Sequence, residues 1–207
     1  MITIISGFIF AYLLGSIPTA VIIGKTFFNV DVRDHGSGNA GATNTFRILG
    51  FKAGISVFLI DGAKGFVATY LAVVFNLNDL IHLPLIFIQF LLTIMVVTGH
   101  IFPIFAGFKG GKGVATMLGS VLGILPLGAL LSFGVFLAVF ILSRFVSLGS
   151  IIAGISFPFW VYFALGKHDT WTLGFSIFFA LILLFMHRKN IQRLIHGKEN
   201  KISFSKR

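Results

Sequence analysis

The sequence predicts an all-α, polytopic integral membrane protein. Hydrophobic residues make up 57% of the 207 and charged residues only 11%. Mean hydropathy is +1.00, a balance that a water-soluble domain of this size has too little core to absorb. Long apolar runs recur along the chain between polar or glycine-rich breakers, and segments of that length in lipid must satisfy their backbone groups internally, as helices do. The basic residues gather in alternate intervals between the runs, as the positive-inside bias requires.

Apolar runs place spans at about 3–24, 51–75, 82–106, 113–125, 127–144, 147–166 and 170–187, about seven in all. The first is long enough, at about 1.5 Å per residue, to cross a hydrocarbon core of about 30 Å, so it reads as a span and not as a cleaved signal. It contains Gly15-Ser16-Ile17-Pro18-Thr19. Proline removes an intrahelical hydrogen bond there, and the expectation is a kink whose freed carbonyls bond the Ser16 and Thr19 hydroxyls. The second span carries Asp61 and Lys64, three apart on one face, either as a buried pair or as part of a site lining. His100 ends the third. The fourth is short, and forms a hairpin or re-entrant pair with the fifth around Pro126. At the end of the seventh, His187, Asn190 and Arg193 have helical spacing, with Glu199 beyond.

Under seven spans, Lys25, Arg33, Arg47, Lys52, Lys109, Lys112, Arg144 and the basic tail after His187 all fall on one side, opposite Lys167. The amino terminus is therefore expected outside and the carboxyl tail in the cytoplasm. No soluble domain, linker or repeat is evident, so residues 1–207 read as one membrane-embedded domain.

Several function classes are excluded. The net charge of +10 flanks apolar runs, which fits membrane topology and anionic lipid, not nucleic acid. Zero cysteines remove disulfides, thiolate metal sites and a cysteine acyl-enzyme. The histidines lack metal-ligand spacing, and a Gly-x-Ser-x-Gly elbow and the His-to-Asp spacing of common glycerolipid acyltransferases are both missing. No metal and no cofactor are expected.

Chemistry is expected at two polar stretches, Gly36-Ser37-Gly38-Asn39-Ala40-Gly41-Ala42-Thr43-Asn44 and Phe108-Lys109-Gly110-Gly111-Lys112-Gly113. Glycines let successive backbone N–H groups turn inward on an anion, and Ser37, Asn39, Thr43 and Asn44 add adaptable donors. Arg33, Arg47, Lys109 and Lys112 add positive charge. The second stretch is not a Walker loop, because Ala106 stands where that motif needs glycine and Gly113 where it needs Ser or Thr. Two cradles on one face suggest two phosphate-bearing substrates. A transporter of an organic phosphate, the competing reading, needs cradles reachable from both faces.

These motifs, with Gly15-Ser16-Ile17-Pro18, Asp61 with Lys64-Gly65, Gly99-His100, Ser147-Leu148-Gly149-Ser150 and the tail Asn190-Ile191-x-Arg193-Leu194-x-x-Gly197-x-Glu199, resemble the PlsY family of bacterial membrane acyltransferases. The resemblance runs from about residue 6 to 201. It implies acyl transfer from acyl phosphate to position 1 of glycerol 3-phosphate, giving lysophosphatidic acid and inorganic phosphate at the cytoplasmic side of the inner membrane. On that reading Arg47 with Lys109, Gly110, Gly111, Lys112 and Gly113 takes the glycerol phosphate, and Ser37, Gly38, Asn39, Gly41, Thr43 and Asn44 the acyl phosphate, or the reverse. His100 and Glu199 join the substrate site. His187, held by Asn190, is the candidate base, with a substrate phosphate oxygen the alternative proton acceptor, and Ser37 a donor in direct transfer; substrates and the lipid bilayer are the implied partners.

Overall fold

The computed structural model describes residues 2–78 and 82–202, and among these the regular structure is entirely helical. The chain divides into two compact units, Met1–Ile124 and Leu125–Arg207.

The first unit contains α1 (Ile2–Ser16), α2 (Thr19–Phe28), α3 (Ala42–Leu49), α4 (Phe51–Val74), α5 (Leu85–Ile101) and α6 (Val114–Ile124). Pro18 breaks the first run where expected, but the hydroxyls behave differently: Thr19 Oγ1 donates to Asp61 Oδ1 at 2.8 Å, and Ser16 Oγ is buried without a hydrogen-bond partner. The Ile17 carbonyl is met instead by Lys64 Nζ at 2.6 Å. A lysine ammonium is the stronger donor, and it reaches the gap that the hydroxyls were expected to fill.

Small residues bring the helices of this unit together, as they do where lipid supplies no hydrophobic drive between them. A Cβ on Gly15 would lie 2.0 Å from the Val96 carbonyl oxygen, so α1 and α5 touch backbone to backbone. Between α4 and α6 the contact is equally close, with a Cβ on Gly65 falling 1.9 Å from the Thr116 oxygen. These two crossings fix where α5 and α6 present the loop that joins them. Apolar side chains such as Ile2, Phe27, Leu59 and Phe105 are exposed on the outside, as suits a surface solvated by lipid.

The second unit contains α7 (Pro126–Ser143), α8 (Val146–Phe159), α9 (Thr170–Met186) and α10 (Arg188–Ile195). Pro126 opens α7 at a position where its missing N–H costs nothing. Pro158 lies inside α8, which runs on through one wide turn, Trp160–Ala164. Asp169 caps α9 by accepting from the Thr172 N–H at 2.9 Å, and the Thr172 backbone and hydroxyl hold its carboxyl below the ordinary aspartate range.

Among the described residues, seven apolar helical segments lie where seven spans are expected. Five are long and apolar enough to cross a membrane: Ile2–Phe28, Phe51–Val74, Leu85–Ala106, Pro126–Ser143 and Val146–Ala164. Thr170–Met186 with Arg188–Ile195 makes a sixth if a 61° bend is allowed within one span. The expected fourth span is α6, with 11 residues, about 16 Å at the usual rise and too short to cross alone.

Candidate active site

In the first unit the first glycine-rich stretch is a loop closed by Asn44 and ending in α3. Gly36 has φ +62°, and a Cβ there would lie 2.5 Å from Asn44 Oδ1, so a residue with a side chain meets both strain and collision. Asn44 Oδ1 accepts the Ser37 N–H at 2.9 Å, while Nδ2 donates to the carbonyls of Val32 (2.8 Å) and His35 (3.1 Å). This corrects the expectation for Asn44, and for the Ser37 N–H as an inward-turned donor. The buried amide satisfies one buried carbonyl and two part-buried loop groups, so it shapes the cradle instead of offering donors to an anion. Ser37 and Gly38 remain exposed, and Asn39, Gly41 and Thr43 half-buried. Gly41 begins α3 without a side-chain cap, which leaves first-turn N–H groups directed at the loop. Arg47 stands one helical turn after Asn44, half-buried.

Arg33 is also reassigned. Its Nε and Nη2 fork onto Asp31 at 3.0 and 2.7 Å, and Nη1 donates to the Ala106 carbonyl at 2.9 Å. Hydrogen bonding to Arg33 holds the Asp31 carboxyl far below its ordinary range and raises the guanidinium in turn. The charge is neutralised locally, and the residue ties the first loop to the turn before the second.

The second stretch folds against the end of α5. Gly111 and Gly110 donate their N–H groups to the carbonyls of His100 (3.1 Å) and Ile101 (3.2 Å), and Ala40 donates to the Gly110 carbonyl at 3.5 Å. The two glycine stretches therefore meet. Glycine is required at the junction: a Cβ on Gly110 would sit 2.0 Å from the His100 oxygen, and one on Gly111 2.2 Å from His100 Nε2. Gly113 has φ +76° and leads into α6. Lys109 is exposed and Lys112 half-buried.

Behind this junction lies a narrow recess, with room for about 10 Å³, lined by Pro18, Thr19, Ala40, Asp61, His100 and Gly110 among others. Asp61 and Lys64 form a buried ion pair at 2.7 Å with side chains 2% and 4% exposed, and Asp61 also lines the recess. His100 Nδ1 lies 3.1 Å from Thr116 Oγ1 and 3.9 Å from Asp61 Oδ2. Thr19 was marked in the sequence by its place beside Pro18, but Thr116 was not, since a threonine in an apolar helix carries no distinguishing pattern.

The second unit holds the remaining candidates. His187 is buried at the bend between α9 and α10, with Nδ1 2.9 Å from the Leu183 carbonyl. A carbonyl only accepts, so Nδ1 carries the proton and Nε2 is the basic nitrogen of the neutral ring. Asn190 Nδ2 donates to Glu199 Oε1 at 2.8 Å, Ser147 Oγ to the same oxygen at 2.9 Å, and Arg193 Nε to Oε2 at 2.7 Å. Glu199 is thus corrected from a substrate-binding residue to a tie between the carboxyl tail, α8 and α10. Both its oxygens already accept from protein donors, and an ionised carboxylate repels phosphate. Arg193 belongs to the same tie and is not simply a headgroup contact.

Burial pushes the Glu199 carboxyl up, but the bonds from Arg193, Asn190 and Ser147 outweigh it and hold it below the ordinary glutamate range. With the folded value lowered, the tie stabilises the fold above the ordinary range and is lost as pH falls through the lowered value. We expect acidification to expose the tail to proteolysis after Lys198, with that pH dependence abolished in Glu199→Gln; an unchanged dependence in the variant would show that another group titrates.

Fold and site together define a class: a helical integral membrane protein in which two glycine-rich, basic loops meet above a polar recess. A family model described as glycerol-3-phosphate acyltransferase matches residues 5–197. The glycerol-3-phosphate acyltransferases of Chlorobaculum parvum and Chlorobaculum tepidum are 40% and 41% identical, each covered completely along with this chain. Crystal structures of PlsY, an integral membrane glycerol 3-phosphate acyltransferase, superpose with TM-scores of 0.86 for the glycerol 3-phosphate form and 0.82 for the lysophosphatidic acid form. Their identities are 39% and 38%, over 97% of this chain and 96% of theirs. The chain belongs to the glycerol-3-phosphate acyltransferase family.

Proposed function

We propose that this protein transfers a fatty acyl group from acyl phosphate to the 1-hydroxyl of glycerol 3-phosphate, releasing lysophosphatidic acid and inorganic phosphate at the cytoplasmic face of the bacterial inner membrane. The observation that carries this reading is the junction of the two glycine stretches through Ala40 and Gly110, which brings two candidate phosphate cradles within one unit. Topology supports the cytoplasmic assignment through the basic intervals, since Arg33, Arg47, Lys109 and Lys112 share one side under the alternating charge pattern.

An acyl phosphate is a mixed anhydride and arrives activated. The acceptor hydroxyl attacks the carbonyl carbon, the carbon–oxygen bond to phosphate breaks, and inorganic phosphate departs with the bonding pair. The protein's task is to align the two reactants and stabilise negative charge on the carbonyl oxygen and the leaving phosphate. We assign the glycerol phosphate to Arg47 with Lys109, Lys112 and the Gly110–Gly113 backbone, and the acyl phosphate to Ser37, Gly38, Asn39, Gly41 and Thr43. Ser37 serves as a hydrogen-bond donor and not as an acyl carrier. His187 is the proposed acceptor of the hydroxyl proton, with a phosphate oxygen of the substrate as the alternative.

The purified protein is expected to make lysophosphatidic acid from acyl phosphate and labelled glycerol 3-phosphate, with acyl-CoA and acyl carrier protein as poor donors. The reason is that neither glycine stretch is part of a domain able to grip a nucleotide or a carrier. Comparable turnover with acyl-CoA would overturn the donor assignment.

A further inference from the structure

We infer that Thr19, Asp61 and Lys64 form a buried positioning knot that fixes where His100 presents the second glycine stretch, an inference that rests on the transfer reading above. The three residues meet at the Pro18 break. Lys64 Nζ donates to Asp61 Oδ1 at 2.7 Å, to the Ile17 carbonyl at 2.6 Å and to Thr19 Oγ1, while Thr19 donates to Asp61 at 2.8 Å. The other Asp61 oxygen faces His100 Nδ1 at 3.9 Å, and the same nitrogen meets Thr116 at 3.1 Å. His100 turns its side chain toward the knot and its main chain toward the loop, where its carbonyl holds Gly111 and the next carbonyl holds Gly110. Gly110 in turn accepts from Ala40 of the first stretch. A continuous set of contacts thus runs from the buried charges to both cradles.

The knot is poor value as a stabilising device. Two charges removed from water are only partly repaid by their attraction, and an apolar pair of similar volume commonly stabilises a protein as well or better. Its place makes sense as a device for geometry: it links the break between α1 and α2, the middle of α4 and the end of α5, which supply Thr19, Asp61 and His100 to the recess wall, and through His100 it reaches Thr116 at the start of α6. A membrane-buried ion pair at such a junction holds one arrangement, because every alternative leaves a charge unpaired in lipid.

The test separates geometry from stability. Lys64→Met alone leaves Asp61 without its cation and should lower both the thermal midpoint in detergent and the yield. Asp61→Asn combined with Lys64→Met removes both charges and should recover the midpoint, yet leave kcat/KM for glycerol 3-phosphate down by about 10- to 150-fold, the range expected when a charge-assisted contact is lost. Thr19→Val should show a similar loss with a midpoint lowered less than in Lys64→Met, because the ion pair remains, and Thr19→Ser, which keeps the hydroxyl, should return most of the activity. Recovery of activity in step with the midpoint in the double variant, or normal kinetics in Thr19→Val, would overturn the inference. The parent protein's turnover, measured alongside, reports on the transfer reading itself: an inactive parent overturns that reading, whereas an active parent with normal variants overturns only the knot.

Discussion

Asn44→Ala is expected to abolish acyl transfer while leaving the helices in place. The substitution removes three hydrogen bonds at once, the acceptor for the Ser37 N–H and the donors for the Val32 and His35 carbonyls. Asn44 is 2% exposed, its bond to the Val32 carbonyl is buried and those to the Ser37 N–H and the His35 carbonyl part-buried, and a buried group left unsatisfied costs about 1–3 kcal/mol. A total of several kcal/mol falls on one loop, and since about 1.4 kcal/mol is tenfold, the ordered loop should become a minor state, with activity down more than about 100-fold. Bulk thermal unfolding should fall by less than activity does, because Val32 and Ala40 of the loop pack with Ala20, Val21 and Val57 and lose only part of that packing when the amide is removed. Trypsin reads the loop directly: cleavage after Arg33 should be slow in the parent and fast in the variant. Asn44→Asp keeps the acceptor but turns a carboxylate toward two carbonyls, and should be impaired as well. Near-parent turnover in Asn44→Ala would mean that the loop does not depend on this amide.

How much of this was legible in the sequence follows from the kind of signal each residue leaves. The helices were readable because lipid demands long apolar runs, and Pro18 and Pro126 marked a break and a start by removing backbone donors. The length of α6 was the exception. Its apolar character matches that of its neighbours, and only the structure shows 11 residues packed on α4 across Gly65 and Gly119. The glycine stretches advertised themselves, but their internal bonding did not. Asn44 and Arg33 look like outward donors in sequence, and whether an amide or guanidinium faces a ligand or its own loop depends on where distant carbonyls such as that of Ala106 end up. Glu199 failed for the same reason. Its partners Asn190 and Ser147 are 9 and 52 positions away, and no local spacing predicts the second. Asp61 and Lys64, by contrast, were visible as charges in an apolar run, with only Thr19 and His100 missing from their setting.

Arg47→Lys is the second large effect, and it bears on the central claim that these basic glycine loops exist to hold phosphate. Lysine keeps the charge but not the planar fork that binds two phosphate oxygens together. Arg47 lies one turn beyond the N-terminus of α3, beside the loop that Asn44 closes, where a residue needed only for membrane topology would tolerate lysine. Losing one charge-assisted hydrogen bond of about 1.5–3 kcal/mol lowers the relevant rate constant by about 10- to 150-fold. The decisive measurement is steady-state kinetics of Arg47→Lys against the parent in matched detergent, with glycerol 3-phosphate and acyl phosphate varied in turn. A fall of that size in kcat/KM for glycerol 3-phosphate, with kcat/KM for acyl phosphate at saturating acceptor nearly unchanged, is the predicted result. Near-parent kcat/KM for glycerol 3-phosphate would contradict it and reduce Arg47 to a topology charge.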